Sequence, residues 1–264
     1  MSIDMNISLK ILVINRKASS ERKARISKQL NSLDIPYEFI EATEGSALTD
    51  EWIENNIGDR LKNIYYNNLH FSVNKNALAC ADSHRRAQLI ASNLENEYTL
   101  ILEDDVVLAR GFKKKINNTI NLMYKHSLHV VFPGYHWSKG SLEKRVDIDG
   151  SGLEYSFYKY PIDGHVAGAH SYIVDSIGAK ILVKANLKKI QDTADTFCIN
   201  EKGLTENTVV LYPKIATTGY LKSDIGYPAQ GSKLIYTAKK AVYLLSIKSK
   251  PFYYLLRHWK ERRL

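Results

Sequence analysis

Three consecutive acids, Glu103, Asp104 and Asp105, interrupt an otherwise apolar run at residues 98–108. The run is too short for an independent helix and predicts a buried strand with the acids near its end. Side chains alternate along a strand, so we expect Glu103 and Asp105 to share one face and Asp104 to point to the other. Two neighbouring carboxylates need a counter-charge, which Mn²⁺ or Mg²⁺ supplies while binding phosphate oxygens. The motif predicts a metal and diphosphate site; a solvated acidic turn is the alternative.

The segments before this motif predict the elements that position it. An apolar strand at residues 9–14, a helix from Ser19 or Ser20 to about residue 33 and a strand at 37–41 form a βαβ unit, which predicts a parallel sheet. A short helix capped by Thr49 or Asp50 runs to about residue 57, residues 63–68 are predicted as a loop, and a long helix covers about 74–94.

The segments after the motif predict further layers of the same α/β domain. Helices are expected at 111–124, 176–187 and 192–200, strands at 128–132, 154–160, 169–174 and 208–211, and loops at 135–152 and 217–232.

Two other sets of residues could contact a nucleotide. Asn15 and Arg22 lie at and beyond the end of the first strand, where nucleotides bind in open α/β sheets. A capping Asn and a surface Arg are the alternative. Ser83 and His84 are adjacent on a helix and diverge by about 100°, so they cannot act as a nucleophile and base pair. We interpret them as residues of a donor pocket; a Ser bonded to its own helix and a His packed in the core are the alternative.

The positive charge lies at one end of the chain. The 264 residues carry a net charge of +9, yet residues 1–232 contain 28 basic and 27 acidic side chains, and residues 233–264 contain nine basic residues and one Glu. We therefore expect a catalytic domain at 1–232 and a basic amphipathic tail at 233–264 that binds an anionic membrane surface. Packing of the tail on the domain or on another subunit is the alternative. The neutral body argues against nucleic-acid binding.

The chain also has features that limit its class and location. It has no apolar run of 18 residues, and its first residues lack the pattern of a signal peptide, so we expect a cytoplasmic protein at the inner face of the membrane. Cys80 and Cys198 belong to no C-x-x-C or Cys/His cluster, so we expect two buried reduced thiols rather than a disulfide or structural zinc.

Four segments together resemble the family 25 glycosyltransferases of lipopolysaccharide and lipooligosaccharide outer-core synthesis. The matching segments are Val13-Ile14-Asn15-Arg16-Lys17 with Arg22, residues 79–84 (A-C-A-D-S-H), residues 98–106 with the three acids, and Gly168, Tyr172, Gly178, Ala179 and Leu182, followed by an Asp-containing segment at 191–195. The likeness covers about residues 9–215. Ala79 and Arg16 stand where the family has Gly and Leu.

The resemblance implies a Rossmann-like α/β/α sandwich of the GT-A type that uses Mn²⁺ or Mg²⁺. It implies that Asp105 and Glu103 bind the metal, and that a UDP-sugar donor contacts Val13, Ile14, Asn15, Arg22, Ser83, His84, Glu103, Asp104 and His170. It further implies transfer of galactose from UDP-galactose, with inversion to a β linkage, to a lipid-linked oligosaccharide.

Inversion requires a base that accepts the proton of the acceptor hydroxyl. Asp192 and Asp195, three residues apart at the start of a predicted helix, are the acids outside the metal motif that could serve; we favour Asp195, although plain helix capping explains both. A non-catalytic nucleotide-sugar or glycan-binding module is the alternative function, and a nucleic-acid-binding protein acting through the tail is a second one.

Overall fold

A computed structural model describes residues 8–67, 73–94, 97–139, 142–145, 155–159, 165–186, 188–196 and 205–219. Its strands are β1 Ser8–Asn15, β2 Tyr37–Glu41, β3 Glu97–Glu103, β4 Val106–Leu108, β5 Val130–Gly134, β6 Trp137–Lys139, β7 Ser156–Lys159, β8 His165–Ala167, β9 Ser171–Asp175, β10 Thr208–Tyr212 and β11 Ala216–Thr218. Its α-helices are α1 Ser20–Asn31, α2 Asp50–Asn56, α3 Asp59–Tyr66, α4 Lys75–Ser92, α5 Phe112–Lys125 and α6 Ser176–Ala185.

The central sheet has seven strands in the order β2-β1-β3-β9-β5-β10-β7. Strands β2, β1 and β3 are parallel, β5 is parallel to β10, and β9 and β7 run antiparallel to their neighbours. The predicted α/β class is confirmed, but the sheet is mixed rather than parallel. Parallel neighbours need a long crossover connection, usually a helix. Helices α1, α4, α5 and α6 precede β2, β3, β5 and β10, whereas the described residues between β5 and β9 contain no helix.

Helices cover both faces of this sheet, because alternate strand residues enter two different cores. Ile11, Val13 and Leu100 pack in one core with residues of α1 and α5. Leu12 and Ile101 pack in the other, with residues of α4 and α6. The result is three layers with the sheet in the middle. A smaller third core joins α2 and α3 to the start of α4.

Several predicted elements were wrong. The loops predicted at 135–152 and 217–232 overlap β6 and β11, which form because each pairs with a distant strand, β6 with β8 and β11 with β4. The Asn-rich stretch 63–68 was expected to be a loop, yet α3 continues to Tyr66, because Leu61 packs into the third core and stabilises a sequence with weak helical preference. The strand predicted at 98–108 is two strands: β3 ends at Glu103, Asp104 and Asp105 form a turn, and β4 pairs with β11 in a separate two-stranded sheet.

Other expectations fall partly or wholly outside the described residues. In the helix predicted at 192–200, the described part forms a 3-10 turn at Ala194–Thr196, and residues 197–200 lie outside. The tail at 233–264 and Cys198 also lie outside. Searched over the described ranges, the helices include none with the length and apolar character needed to span a bilayer.

Candidate functional site

A crevice opens between β1 and β3, where the order of the strands reverses. Helix α1 leads from β1 to β2 on one side, and α4 brings the chain to β3 on the other side. Ligands of open α/β sheets bind at such a reversal, beyond the carboxyl ends of the strands. A cavity of about 110 Å³ lies there, lined by Ile14, Arg16, Arg22, Ala42, Thr43, Gly45, Asn76, Cys80, Ser83, Glu103, Asp104 and Asp105.

Both carboxylate oxygens of Asp104 contact side chains from the β1 and α1 region. Asn15 Nδ2 donates a 2.7 Å hydrogen bond to Asp104 Oδ2, and an Arg22 guanidinium nitrogen lies 3.2 Å from Oδ1. The expectation that Asp104 points away from Glu103 and Asp105 is wrong. Strand β3 ends at Glu103, so the alternation of side chains ends there too, and the following turn brings all three acids to the cavity.

Asp105 presents a buried oxygen with a different environment. Its Oδ1 has no hydrogen-bond partner among the described residues. Burial and the negative charge of Glu103 raise the pKa of Asp105 above its ordinary range, while Arg22 opposes the shift. Burial and the charges of Asp195 and Asp104 likewise raise the pKa of Glu103. The two carboxylates are therefore held close in a setting that disfavours two negative charges, and these oxygen donors fit Mn²⁺ or Mg²⁺.

His84 belongs to a buried polar chain that ends at the same acids. Gln88 Nε2 donates to the hydroxyl of Tyr172 over 3.3 Å, this hydroxyl lies 3.2 Å from His84 Nδ1, and His84 Nε2 lies 3.3 Å from Glu103 Oε1. Burial lowers the pKa of His84 to about 4, so the ring is neutral near pH 7. All three contacts are satisfied when Tyr172 donates to Nδ1 and Nε2–H donates to Glu103. This series of hydrogen bonds thus fixes the direction of the Glu103 carboxylate.

Ser83 and Asp82 bind the segment after β2 to α4. Ser83 Oγ donates to the carbonyl of Ala79 over 2.8 Å and accepts from the backbone N–H of Thr43 over 2.9 Å. Asp82 Oδ2 accepts a 2.7 Å hydrogen bond from Thr43 Oγ1. The hydrogen bond to Ala79 is the one expected of a Ser that only stabilises its own helix. The same hydroxyl, however, also holds the cavity wall at Thr43.

A comparison with known families gives the chain an identity. The model of glycosyltransferase family 25, described as an LPS biosynthesis protein, matches residues 8–198 and so covers most of the chain, including every residue that lines the cavity. The chain belongs to glycosyltransferase family 25. The resemblance seen in the sequence is thereby confirmed. A search of curated proteins finds no match.

As a member of family 25, the protein is a glycosyltransferase of lipopolysaccharide biosynthesis. Such an enzyme takes a sugar from a nucleotide-sugar donor and transfers it to an oligosaccharide acceptor. The cavity at the strand reversal is the candidate functional site of this family 25 member, because ligands of open α/β sheets bind at such reversals.

Four predicted donor residues of the family 25 member do not line the cavity. Asn15 and His84 contact its acids, Asp104 and Glu103, whereas Val13 and His170 lie in the interior. Val13 is fully buried in the core beside α1, whereas the next residue, Ile14, lines the cavity. His170 is also buried, with its ring centroid 4.8 Å from that of His136. Its backbone carbonyl accepts a 3.0 Å hydrogen bond from the N–H of Glu103, so its contact with the acidic motif is through the main chain.

The two candidate bases occupy different surroundings rather than one helix face. Asp192 forms an ion pair with Arg60 and lines a small pocket beside α4 that also includes Arg85 and Gln88. Asp195 lies in the 3-10 turn, and its negative charge raises the pKa of Glu103. Of the two, Asp195 therefore lies within electrostatic reach of the acidic motif.

Several residues that line the cavity were not predicted from the sequence to belong to the site. Arg16, treated as a departure from the family pattern, pairs with Glu44 at 2.6 Å. Its position directly after the first strand could have identified it, because chain leaving a strand's carboxyl end meets the crevice. Cys80, expected to be a buried thiol with no Cys/His cluster, lines the cavity near His84. Its spacing of four residues from His84 on a helix was the overlooked signal.

Proposed function

We propose that the chain is a metal-dependent glycosyltransferase of the GT-A type that transfers galactose from UDP-galactose to a lipooligosaccharide outer-core acceptor, with inversion to a β linkage. The proposal combines the established family with the chemistry of the cavity. The choice of galactose, of UDP and of the β linkage rests on the family resemblance, and the metal dependence rests on the acidic turn.

The observation that carries the metal dependence is the buried Oδ1 of Asp105, which has no hydrogen-bond partner in the described part of the chain. A buried carboxylate oxygen without a partner is costly, and the charge of Glu103 adds repulsion. A hard divalent cation would satisfy both groups, with Asp105 and Glu103 as its ligands. When bound, Mn²⁺ or Mg²⁺ would neutralise the charge that develops on the departing diphosphate.

The remaining residues of the turn and of α1 prepare this site. Asn15 and Arg22 satisfy both oxygens of Asp104, which keeps that carboxylate from adding an unpaired charge beside Glu103. His84 orients Glu103 from the other side. In this proposal the donor's nucleotide contacts the cavity wall formed by Ile14, Arg16 and Thr43, which Ser83 holds in position.

We assign the general base to Asp195. An inverting transfer needs a carboxylate that removes a proton from the acceptor hydroxyl opposite the leaving group. The charge of Asp195 acts on Glu103 and Cys80, both of which line the cavity. Asp192 is engaged with Arg60 and is the less suitable base.

A donor screen tests the proposed activity. The full chain is incubated with UDP-galactose, UDP-glucose, UDP-N-acetylglucosamine or a CMP-sugar, each with and without Mn²⁺, and free nucleotide is measured. Release from UDP-galactose that requires Mn²⁺ is the expected result. Tight UDP binding without turnover of any donor would instead identify a non-catalytic binding module.

The metal ligands are tested by Asp105→Asn, which keeps the size of the side chain but removes its charge. We expect Mn²⁺-stimulated transfer to fall by about 100-fold or more, since single groups that stabilise transition-state charge contribute on this scale. Asp59→Asn is the matched control, because Asp59 is an exposed acid of α3 far from the motif in sequence. Full metal stimulation in Asp105→Asn would exclude this metal site.

We also propose that the tail at 233–264 holds the enzyme on the cytoplasmic face of an anionic inner membrane, where a lipid-linked acceptor is made. It mixes nine basic residues with aromatic and aliphatic ones, as do segments that lie in the membrane interface. Removal of residues 233–264 should abolish binding to anionic vesicles and spare transfer to a soluble acceptor. Vesicle binding that survives the truncation would exclude the tail as the anchor.

A further inference from the structure

Three side chains of different chemistry meet beside the cavity, two of them in its wall. Cys80 and His84 are four residues apart on α4 and so lie on one side of the helix, and Glu103 approaches them from the end of β3. One potential ligand atom from each, sulfur, nitrogen and oxygen, lies within 4.8 Å of the other two. Cys80 and Glu103 line the cavity and are open to an entering ion.

From this arrangement we propose a second cation site in which Cys80 Sγ, His84 Nε2 and Glu103 Oε1 bind a thiophilic divalent ion such as Zn²⁺. The site differs from the oxygen site at Asp105, which the proposed function assigns to Mn²⁺ or Mg²⁺, because thiolate and imidazole are the ligands that Zn²⁺ prefers. Three protein ligands would leave a fourth position for water.

The geometry suits a tetrahedral ion. Ligand bonds of about 2.0–2.3 Å at tetrahedral angles place neighbouring ligand atoms about 3.3–3.7 Å apart. His84 Nε2 and Glu103 Oε1 are already 3.3 Å apart. The sulfur of Cys80 lies within 4.8 Å of both.

The surroundings supply the charge and the support that such an ion requires. Asp104, Asp105 and Asp195 all act on the same region, so a divalent cation reduces a local excess of negative charge. Ion binding releases the thiol proton and any proton held by Glu103 to water, and it moves the imidazole proton from Nε2 to Nδ1, where the Tyr172 hydroxyl accepts it in a hydrogen bond. Zinc-bound His residues usually have a hydrogen-bond partner at the other ring nitrogen, and Tyr172 takes that position.

Glu103 is common to both sites, which gives the second site a consequence. An ion held by Cys80 and His84 withdraws Glu103 from the oxygen site, so thiophilic ions compete with Mn²⁺ or Mg²⁺ for one carboxylate. In this proposal thiophilic ions bind at Cys80 and His84, whereas Mn²⁺ or Mg²⁺ binds at Asp105.

Co²⁺ is the probe that tests this site, because it replaces Zn²⁺ and shows a thiolate-to-metal charge-transfer absorption when bound to Cys. We titrate the full metal-free chain with Co²⁺ in the absence of donor and record the near-ultraviolet and visible spectrum. The expected result is a charge-transfer band that saturates at one equivalent and disappears when Zn²⁺ is added. No such band in folded protein overturns the proposal.

Four variants locate the band. Cys80→Ser should abolish it, and His84→Gln should weaken Co²⁺ binding by at least about ten-fold, as the loss of a metal ligand does at least as much as the loss of its supporting partner. Cys198→Ser is the matched thiol control and should keep the band. Asp105→Asn should also keep it, which separates this site from the oxygen site.

The possible results are decisive in both directions. A band lost in Cys198→Ser but kept in Cys80→Ser places the thiolate elsewhere and overturns the proposal. If Cys80→Ser does not fold, a loss of Co²⁺ affinity in folded His84→Gln supports the site. Unchanged Co²⁺ affinity in that variant overturns it. Because the spectrum needs no turnover, it is independent of whether the donor screen detects transfer.

Discussion

The amide of Asn15 donates a 2.7 Å hydrogen bond to the carboxylate of Asp104, 89 residues later in the sequence, and so joins the end of β1 to the turn that follows its parallel neighbour β3. Both side chains are almost fully buried. The bond lies at the strand reversal, where open α/β sheets bind their ligands, and it ties the acidic turn to β1.

Asn15→Ala removes the donor and leaves Asp104 Oδ2 with one partner fewer in a buried site. A hydrogen bond to a charged group contributes about 1.5–3 kcal/mol, so we expect the free energy of unfolding to fall by about that amount. Urea denaturation measures it. Asn31→Ala is the control, because exposed Asn31 only accepts a bond from Tyr37 and should change stability by about 0.5 kcal/mol or less. Equal losses in the two variants would contradict the role given to Asn15.

Arg22→Ala should shift divalent-ion binding at the acidic turn to higher pH. The Arg22 charge lowers the pKa of both Glu103 and Asp105, so without it these carboxylates keep their protons to a higher pH, where each proton competes with the ion. We expect the pH at which Mn²⁺ affinity reaches half of its plateau, measured by calorimetry, to rise by up to about one unit. Arg25→Ala removes an exposed pair with Glu21 on the same helix and should leave this pH unchanged. An equal shift in Arg25→Ala would show that the helix charge acts nonspecifically.

The stability of the metal-free protein should decrease as pH rises from 6.5 to 8. Burial, together with other carboxylates, raises the pKa of Glu103 and of Asp105 to about 8, so in this window the folded chain holds more protons than the unfolded chain, and deprotonation favours unfolding. His84, whose burial lowers its pKa to about 4, acts oppositely only below about pH 6.5. Unfolding measured across the window should show a smaller slope in Asp105→Asn. An unchanged slope in that variant would assign the pH dependence to other groups.

Gly45→Ala should narrow the cavity and destabilise the fold. A Cβ at Gly45 would lie 2.9 Å from both the Cα and the N of Asn76, so the backbone of α4 would have to shift. Overpacking of this kind costs about 1–3 kcal/mol, which thermal or urea unfolding can measure, and the affinity for UDP should fall with it. Gly58→Ala is the matched control, because its Cβ meets the exposed side chain of Gln191, which can rotate away. Equal effects of the two substitutions would contradict this account.

Local signals in the sequence predicted much of the donor side of the fold. The apolar strand at residues 9–14, the helix after it and the strand at 37–41 follow from periodicity, and Asn74 caps α4 by accepting from the N–H of Ala77 over 3.0 Å. Sequence position at a strand end also placed Asn15 and Arg22 at the crevice.

Features that depend on distant partners were not predicted. The sequence does not show that β3 ends at Glu103, because the apolar run continues through Val106 and Val107. The end arises because β4 pairs with β11, more than a hundred residues later, and so separates from β3. Helix α3 depends on Leu61 entering a tertiary core, which local propensity does not contain. The grouping of Cys80 and His84 with Glu103 needs the contact between a helix and a strand end.

The turn that carries the acids is anchored on both sides by main-chain hydrogen bonds. The N–H of Glu103 donates to the carbonyl of His170, and the carbonyl of Asp105 accepts from the N–H of Gly219. A backbone held at both ends cannot widen or contract to suit its guest. An ion bound at this turn would therefore be accommodated by side-chain torsions and by the number of waters it retains rather than by movement of the main chain.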